Sequence, residues 1–119
     1  MKFEGSFYNI QKIEHLENSY QVEIELNAQH PIYEGHFPQQ AVVPGVCTLT
    51  MIKECIGQIL SKDVQLHAIK ECKYTSALIP QNDFRIIISI CFIGDNNVQS
   101  EVKRFDSQEI VLKLKASYR

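Results

Sequence analysis

No stretch of this chain approaches the eighteen or so consecutive apolar residues that a bilayer-spanning helix needs, so no membrane span is expected. No apolar core follows Met1-Lys2-Phe3-Glu4-Gly5, so these residues are not expected to act as a signal peptide. Basic residues are not in excess: twelve Lys and Arg stand against fourteen Asp and Glu, a net charge of −2. Without a basic stripe a nucleic-acid partner is not expected. Lys113 and Lys115 read as the solvated face of a strand. The four cysteines, Cys47, Cys55, Cys72 and Cys91, contain no C-x-x-C pair, and three lie inside apolar runs. Such thiols behave as small buried hydrophobes in a reducing compartment. Neither disulfides nor zinc is expected, and a cytoplasmic location is. His30, His36 and His67 also lack metal-ligand spacing. Repeats, low-complexity segments and linkers are missing too, so the 119 residues read as a single domain, 1–119.

What is present is mostly period-2 alternation. Tyr20, Val22, Ile24 and Leu26 alternate with Gln21, Glu23, Glu25 and Asn27, a half-buried strand. Phe84, Ile86, Ile88, Ile90 and Phe92 form an unbroken apolar face, and Ile87, Cys91 and Ile93 on the other face predict a central strand. Val98–Phe105, Ile110–Tyr118 and Leu66–Tyr74 read as further strands, with turns at Gly94–Asn97 and Asp106–Gln108. The first dozen residues read as another. One segment follows a different period. From Gly45 to Leu60, Val46, Leu49, Ile52, Ile56 and Ile59 recur at steps of three and four, and Cys47, Met51, Cys55 and Leu60 widen the stripe. That is a buried helix of sixteen residues, roughly 24 Å long and about the span of a strand. The expected fold is α+β: five to six antiparallel strands wrapped around one central helix. Surplus apolar surface at Ile87 and Ile93 would favour a dimer.

Three of the four prolines and two of the five glycines fall between His30 and Val46. Pro44-Gly45 sets the start of the helix, where proline has no N–H to leave orphaned. Gly45 has no side chain to keep a ligand from its backbone. The first N–H groups of a helix lack internal partners, and the macrodipole adds about half a positive charge there. A thioester carbonyl gaining enolate character would be stabilised at such a point. His36, an imidazole with an ordinary pKa of about 6.5, could serve as the base; a core histidine bonded to backbone is the alternative.

The segment resembles the 3-hydroxyacyl-acyl-carrier-protein dehydratases. The residues that carry the resemblance are His30-Pro31, Gly35-His36-Phe37-Pro38, Val42 and Pro44-Gly45-Val46, followed downstream by the strand-like Cys72–Pro80. The resemblance implies the hotdog fold, and a dimer (or a higher even oligomer) with active sites in tunnels at the subunit interface. It implies dehydration of a 3-hydroxyacyl thioester, carried by acyl carrier protein or CoA, to the trans-2-enoyl form. No cofactor is implied, because phosphopantetheine arrives with the substrate, and no metal. His36 would remove the C2 proton and the Gly45 N–H would hold the thioester carbonyl. Phe37, Pro38 and Val42, with Pro44 and Val46 beside the oxyanion donor, would shape the substrate tunnel.

One position departs from that pattern. Such dehydratases place Glu or Asp five residues after the glycine, to protonate the leaving hydroxyl; here Thr50 stands there. Threonine donates hydrogen bonds but is too weak an acid to release a proton as a carboxyl does. Glu54, four residues on and on the same helix face, is the candidate substitute, directly or through a water shared with Thr50. The plain alternative for Glu54 is a solvated or salt-bridged residue. Dehydratase-like proteins of aryl-polyene and flexirubin pathways also vary on this helix. Two further readings stand beside dehydration: a thioesterase on the same fold, and a non-catalytic acyl-thioester-binding subunit that has lost its helix carboxylate.

Overall fold

The structure, a computed structural model, describes residues 3–33 and 42–119. Strands β1 (Tyr8–His15) and β2 (Tyr20–Leu26) form a hairpin, and a short 3₁₀ turn follows at Pro31–Tyr33. Helix α1 (Gly45–Leu60) precedes β3 (Leu66–Tyr74), β4 (Arg85–Ile93), β5 (Asn97–Arg104) and β6 (Ile110–Tyr118). The spans expected for β2, α1, β3 and β6 from the hydrophobic period coincide with those observed. The strands form a single sheet in the order β1-β2-β4-β5-β6-β3, and all neighbours are antiparallel.

Strand β4 is interior, as its two apolar faces predict. Ile86, Ile88 and Ile90 on one face are fully buried and share a core with Val22, Ile24, Val102 and Leu114. Helix α1 presents two adjacent rows to this core: Cys47, Met51 and Cys55, and Thr48, Ile52 and Ile56. Each row has a four-residue step, so both lie on one side of the helix. Each large aliphatic side chain so buried contributes about 1.5–3 kcal/mol. Ser100 is a buried polar residue in this face, and its hydroxyl donates to the Ser89 carbonyl at 2.6 Å.

Two expectations need correction. The first dozen residues are not one strand. Phe3–Phe7 coils into turns, with the Ser6 and Phe7 N–H groups donating to the Phe3 carbonyl, and β1 begins only at Tyr8. Gly5 has φ +96°, a left-handed value that ends extended structure there. Ile87 is not surplus apolar surface either: it is 7% exposed and flanked across the ladder by Glu23 and Lys103. Ile93, at the strand end, is exposed.

The helix stops at Ser61, which takes the left-handed conformation at φ 57° while the Lys62 N–H closes back on the Gly57 carbonyl at 3.1 Å. A non-glycine residue is strained in that conformation. Ser61→Gly is therefore expected to raise stability by about 1 kcal/mol. Urea denaturation checks this; an unchanged or lower midpoint would contradict it.

Candidate functional site

Helix α1 begins without a side-chain cap. Pro44 is extended at φ −62° and ψ 143°, and its carbonyl accepts from the Cys47 and Thr48 N–H groups at 3.0 and 3.2 Å. The Gly45 and Val46 N–H groups donate to no described residue. They are the orphan donors expected of a first helical turn. Beside them lies a cavity of about 570 Å³. Its walls include Val42, Gly45 and Thr48, then Tyr74 at the end of β3, Leu78 beyond it and Leu112 of β6. The lining is apolar apart from a few hydroxyls. Water is thus displaced cheaply, and a carbonyl brought here would meet the positive end of α1.

The far wall is tied down by Arg104, whose side chain is mostly buried. Its guanidinium donates to Asp83 and Glu109, to the Ser76 hydroxyl and, at 2.7 Å, to the Ala77 carbonyl. The Leu78 carbonyl in turn accepts from the Val43 N–H at 2.9 Å, one residue before Pro44. The wall and the lead into α1 are therefore one hydrogen-bonded unit.

The expected site residues other than Glu54 divide into three groups. Val42 and Gly45 line this cavity, with Pro44 between them in sequence. Val46 and Thr50 lie one turn apart on the outer side of α1; Val46 is 70% exposed, and the Thr50 hydroxyl donates to the Val46 carbonyl at 3.0 Å. His36, Phe37 and Pro38 fall outside the described residues.

Glu54, the candidate acid, accepts three hydrogen bonds. One oxygen accepts from the Phe3 N–H at 2.8 Å; the other accepts from the Glu4 N–H at 3.0 Å and the Tyr8 hydroxyl at 2.8 Å. Burial first, then the nearby Cys55 thiol and the Glu54 carboxylate, push the Tyr8 hydroxyl far above its ordinary range, so it remains a donor. Acting as acceptor in three bonds suits a carboxylate that anchors the first residues to α1. No described hydrogen bond joins Glu54 to Thr50.

A larger cavity of about 710 Å³ opens at the other end of α1, among Lys53, Gln58, Lys62 and Asp63. It lies at the negative end of the helix dipole, which disfavours a developing oxyanion. Among the described residues no three His, Cys, Asp or Glu side chains group as a metal site. No described helix is long and apolar enough to cross a membrane.

Tyr74 was not singled out by sequence. Its hydroxyl donates to the Gly45 carbonyl at 3.0 Å. A Cβ on Gly45 would stand 2.7 Å from that oxygen, so the glycine makes room for it. Burial pushes the Tyr74 hydroxyl up to about 12, so it is protonated at neutral pH. Only its place at the end of a strand running toward Pro80 marked it in the sequence. The pairing with Gly45 spans 29 residues and has no local signature.

A protein-family model named ApeI-like, described as ApeI dehydratase, matches residues 12–112. No curated protein matches the sequence. Among solved structures, the dehydratase heterocomplex ApeI:P from Xenorhabdus doucetiae is similar at a TM-score of 0.75 and 16% identity, covering 92% of this chain and 95% of that one. The CurK dehydratase, solved as an inactive histidine-to-phenylalanine mutant, gives 0.66 and 18% over 95% of this chain and 43% of that one. A thioesterase from Haemophilus influenzae gives 0.59 and 13% over 96% of this chain and 79% of that one. These likenesses show the fold, which is the hotdog fold.

If Glu54 is the anchor described, Glu54→Ala removes three bonds and leaves the buried Tyr8 hydroxyl unpaired. The expected loss is about 2–3 kcal/mol of stability. Denaturant unfolding measures it; a loss below measurement error would contradict the anchoring role.

Proposed function

The chain belongs to the ApeI-like dehydratase family, and on that premise we propose that it converts a 3-hydroxyacyl thioester to the trans-2-enoyl thioester and water. The observation that carries this reading is the apolar cavity at the N-terminus of α1, with Gly45 in its wall and, beside it, two N–H groups that donate to no described residue. His36 is the base that takes the C2 proton. The Gly45 N–H holds the thioester oxygen as negative charge builds on it, a contribution of about 10²–10³ in rate for one such donor. Phe37, Pro38 and Val42 shape the acyl path, and Pro44 and Val46 flank the oxyanion donor.

A histidine-to-phenylalanine mutant of the CurK dehydratase is inactive, and so is an aspartate-to-asparagine mutant, at positions further apart than this chain is long. This chain has His36, but Thr50 stands where the dehydratases it resembles have a carboxylate, so its acid must come from elsewhere. A general acid is worth about 10²–10⁴ in rate.

The thioesterase alternative is weakened by Glu54. That reaction needs a carboxylate to activate water, and the one carboxylate on α1 is engaged by Phe3, Glu4 and Tyr8. The non-catalytic alternative is favoured by Thr50: a chain without the acid could bind acyl thioesters for an active partner.

The substrate is carried on phosphopantetheine, from acyl carrier protein or CoA, and no other cofactor takes part. The protein acts in the cytoplasm as a dimer or a higher even oligomer. Support for pairing comes from β3, a nine-residue edge strand with Ile69 half-exposed in its middle and Tyr74 half-exposed at its end. Such an edge offers unpaired backbone groups to a second strand. The partner is a second hotdog chain, the same or a different one; the similar ApeI:P is itself a dehydratase heterocomplex.

Purified protein is expected to turn a 3-hydroxyacyl thioester of pantetheine or acyl carrier protein into the conjugated enoyl product, followed by its ultraviolet absorbance. His36→Ala should lower the rate by about 10²-fold or more. Full activity in that variant would overturn the reading, and binding of the thioester without turnover would select the non-catalytic one.

A further inference from the structure

We propose that Tyr74 supplies the proton that lets the 3-hydroxyl group leave, in the place that Thr50 leaves without an acid. This rests on the dehydratase reading above. Among the described residues lining the cavity, Tyr74 carries the one ionisable group; the rest are aliphatic side chains, a glycine and the hydroxyls of Thr48, Thr75 and Ser76. Neither residue on α1 to which the acid role would otherwise fall is suited to it. Thr50 is an aliphatic alcohol, a far weaker acid than a phenol, and Glu54 accepts from Phe3, Glu4 and Tyr8.

The phenol stands at the end of the cavity formed by the first turn of α1. Its oxygen rests 3.0 Å from the Gly45 carbonyl oxygen, against the same residue whose N–H would hold the thioester. Gly45 therefore has two tasks, each of which needs a missing side chain. One is close approach of a thioester to its N–H. The other is space for the Tyr74 ring, since a Cβ would lie 2.7 Å from the hydroxyl oxygen and 2.9 Å from the ring carbon that bears it. A hydroxyl is a rotor with one donor and two acceptor sites. It can turn its proton from the Gly45 carbonyl to a substrate oxygen with little movement of the ring. The residue is half-exposed, so the ring is not locked in the core.

The chemistry balances without any added reagent. His36 takes the C2 proton, and the electrons of that C–H bond become the C2–C3 π bond. The C3–O bond breaks with its pair on oxygen, which takes the Tyr74 proton and departs as water. The proton held on the imidazolium then restores the phenol. A phenol with a pKa of about 12 is a weaker acid than a carboxyl group. It is still well below bulk water, at about 15.7, so transfer to a departing hydroxide is downhill.

The test compares two leaving groups on the full-length protein. Wild type, Tyr74→Phe and His36→Ala are each assayed with a 3-hydroxyacyl pantetheine thioester and with its 3-acetoxy analogue, whose acetate leaves without needing a proton. Phenylalanine keeps the ring in the wall, and circular dichroism checks the fold. Tyr74→Phe is expected to slow loss of the hydroxyl by about 10²-fold or more while acetate elimination stays close to wild type. Equal slowing of both substrates would make Tyr74 a wall residue and overturn the proposal, as would no slowing of either. His36→Ala should impair both eliminations. If it impairs neither, or if wild type turns over neither substrate, the dehydratase reading itself fails. If His36→Ala impairs both while Tyr74→Phe acts equally on both, only the Tyr74 assignment fails.

Discussion

Helix α1 buries one long side, and the sheet has one face built to receive it. Cys47, Met51, Ile52, Cys55 and Ile56 meet Ile86, Ile88 and Ile90 in one core, and sliding or rotating the helix would expose one of those rows. This contact fixes where the first turn of α1 emerges. Pro44 and Gly45 are thereby held beside the end of β3 and the start of β6, and the space left between them is the cavity. The positive end of the helix faces that space because the packing leaves it no other direction. The exposed donors at that end are a by-product of burying an apolar helix.

The same helix ties the first residues of the chain to the core through one carboxylate. Glu54 lies two turns beyond Val46, within reach of Phe3, Glu4 and Tyr8, and it bonds all three. Tyr8 is fully buried, so its hydroxyl needs an acceptor more than α1 needs an acid. With Thr50 unable to release a proton, the demand for an acid passes from the helix to the strand that faces it. Tyr74 is the group on that strand that the fold brings to Gly45.

The fold was legible because its elements have clean periods. The alternation in β2, β4 and β6 and the three-and-four steps in α1 are local, and each buried face decides its own register. The first residues were misread because Gly5 and the Glu54 anchor act against extension, and the second of these is a contact across some fifty residues. The candidate site was half legible. Pro44-Gly45 announces a helix start by its own chemistry, so the N-terminus of α1 could be placed from sequence. Glu54 and Tyr74 could not be assigned, because each is defined by a partner distant in sequence: Tyr8 for one and Gly45 for the other. Arg104 is a similar case, since its role in the wall appears only when Ser76, Ala77 and Asp83 are brought around it.

The central claim is that acyl thioesters bind at the N-terminal end of α1. Backbone amide shifts measured by NMR, during titration with a pantetheine amide analogue of a 3-hydroxyacyl thioester, test it most directly. The account predicts saturable shifts at Gly45, Val46, Thr48, Tyr74 and Leu78, with the residues around Lys53 and Lys62 unmoved. Shifts confined to the cavity at the other end of the helix, or none at saturating analogue, would contradict it.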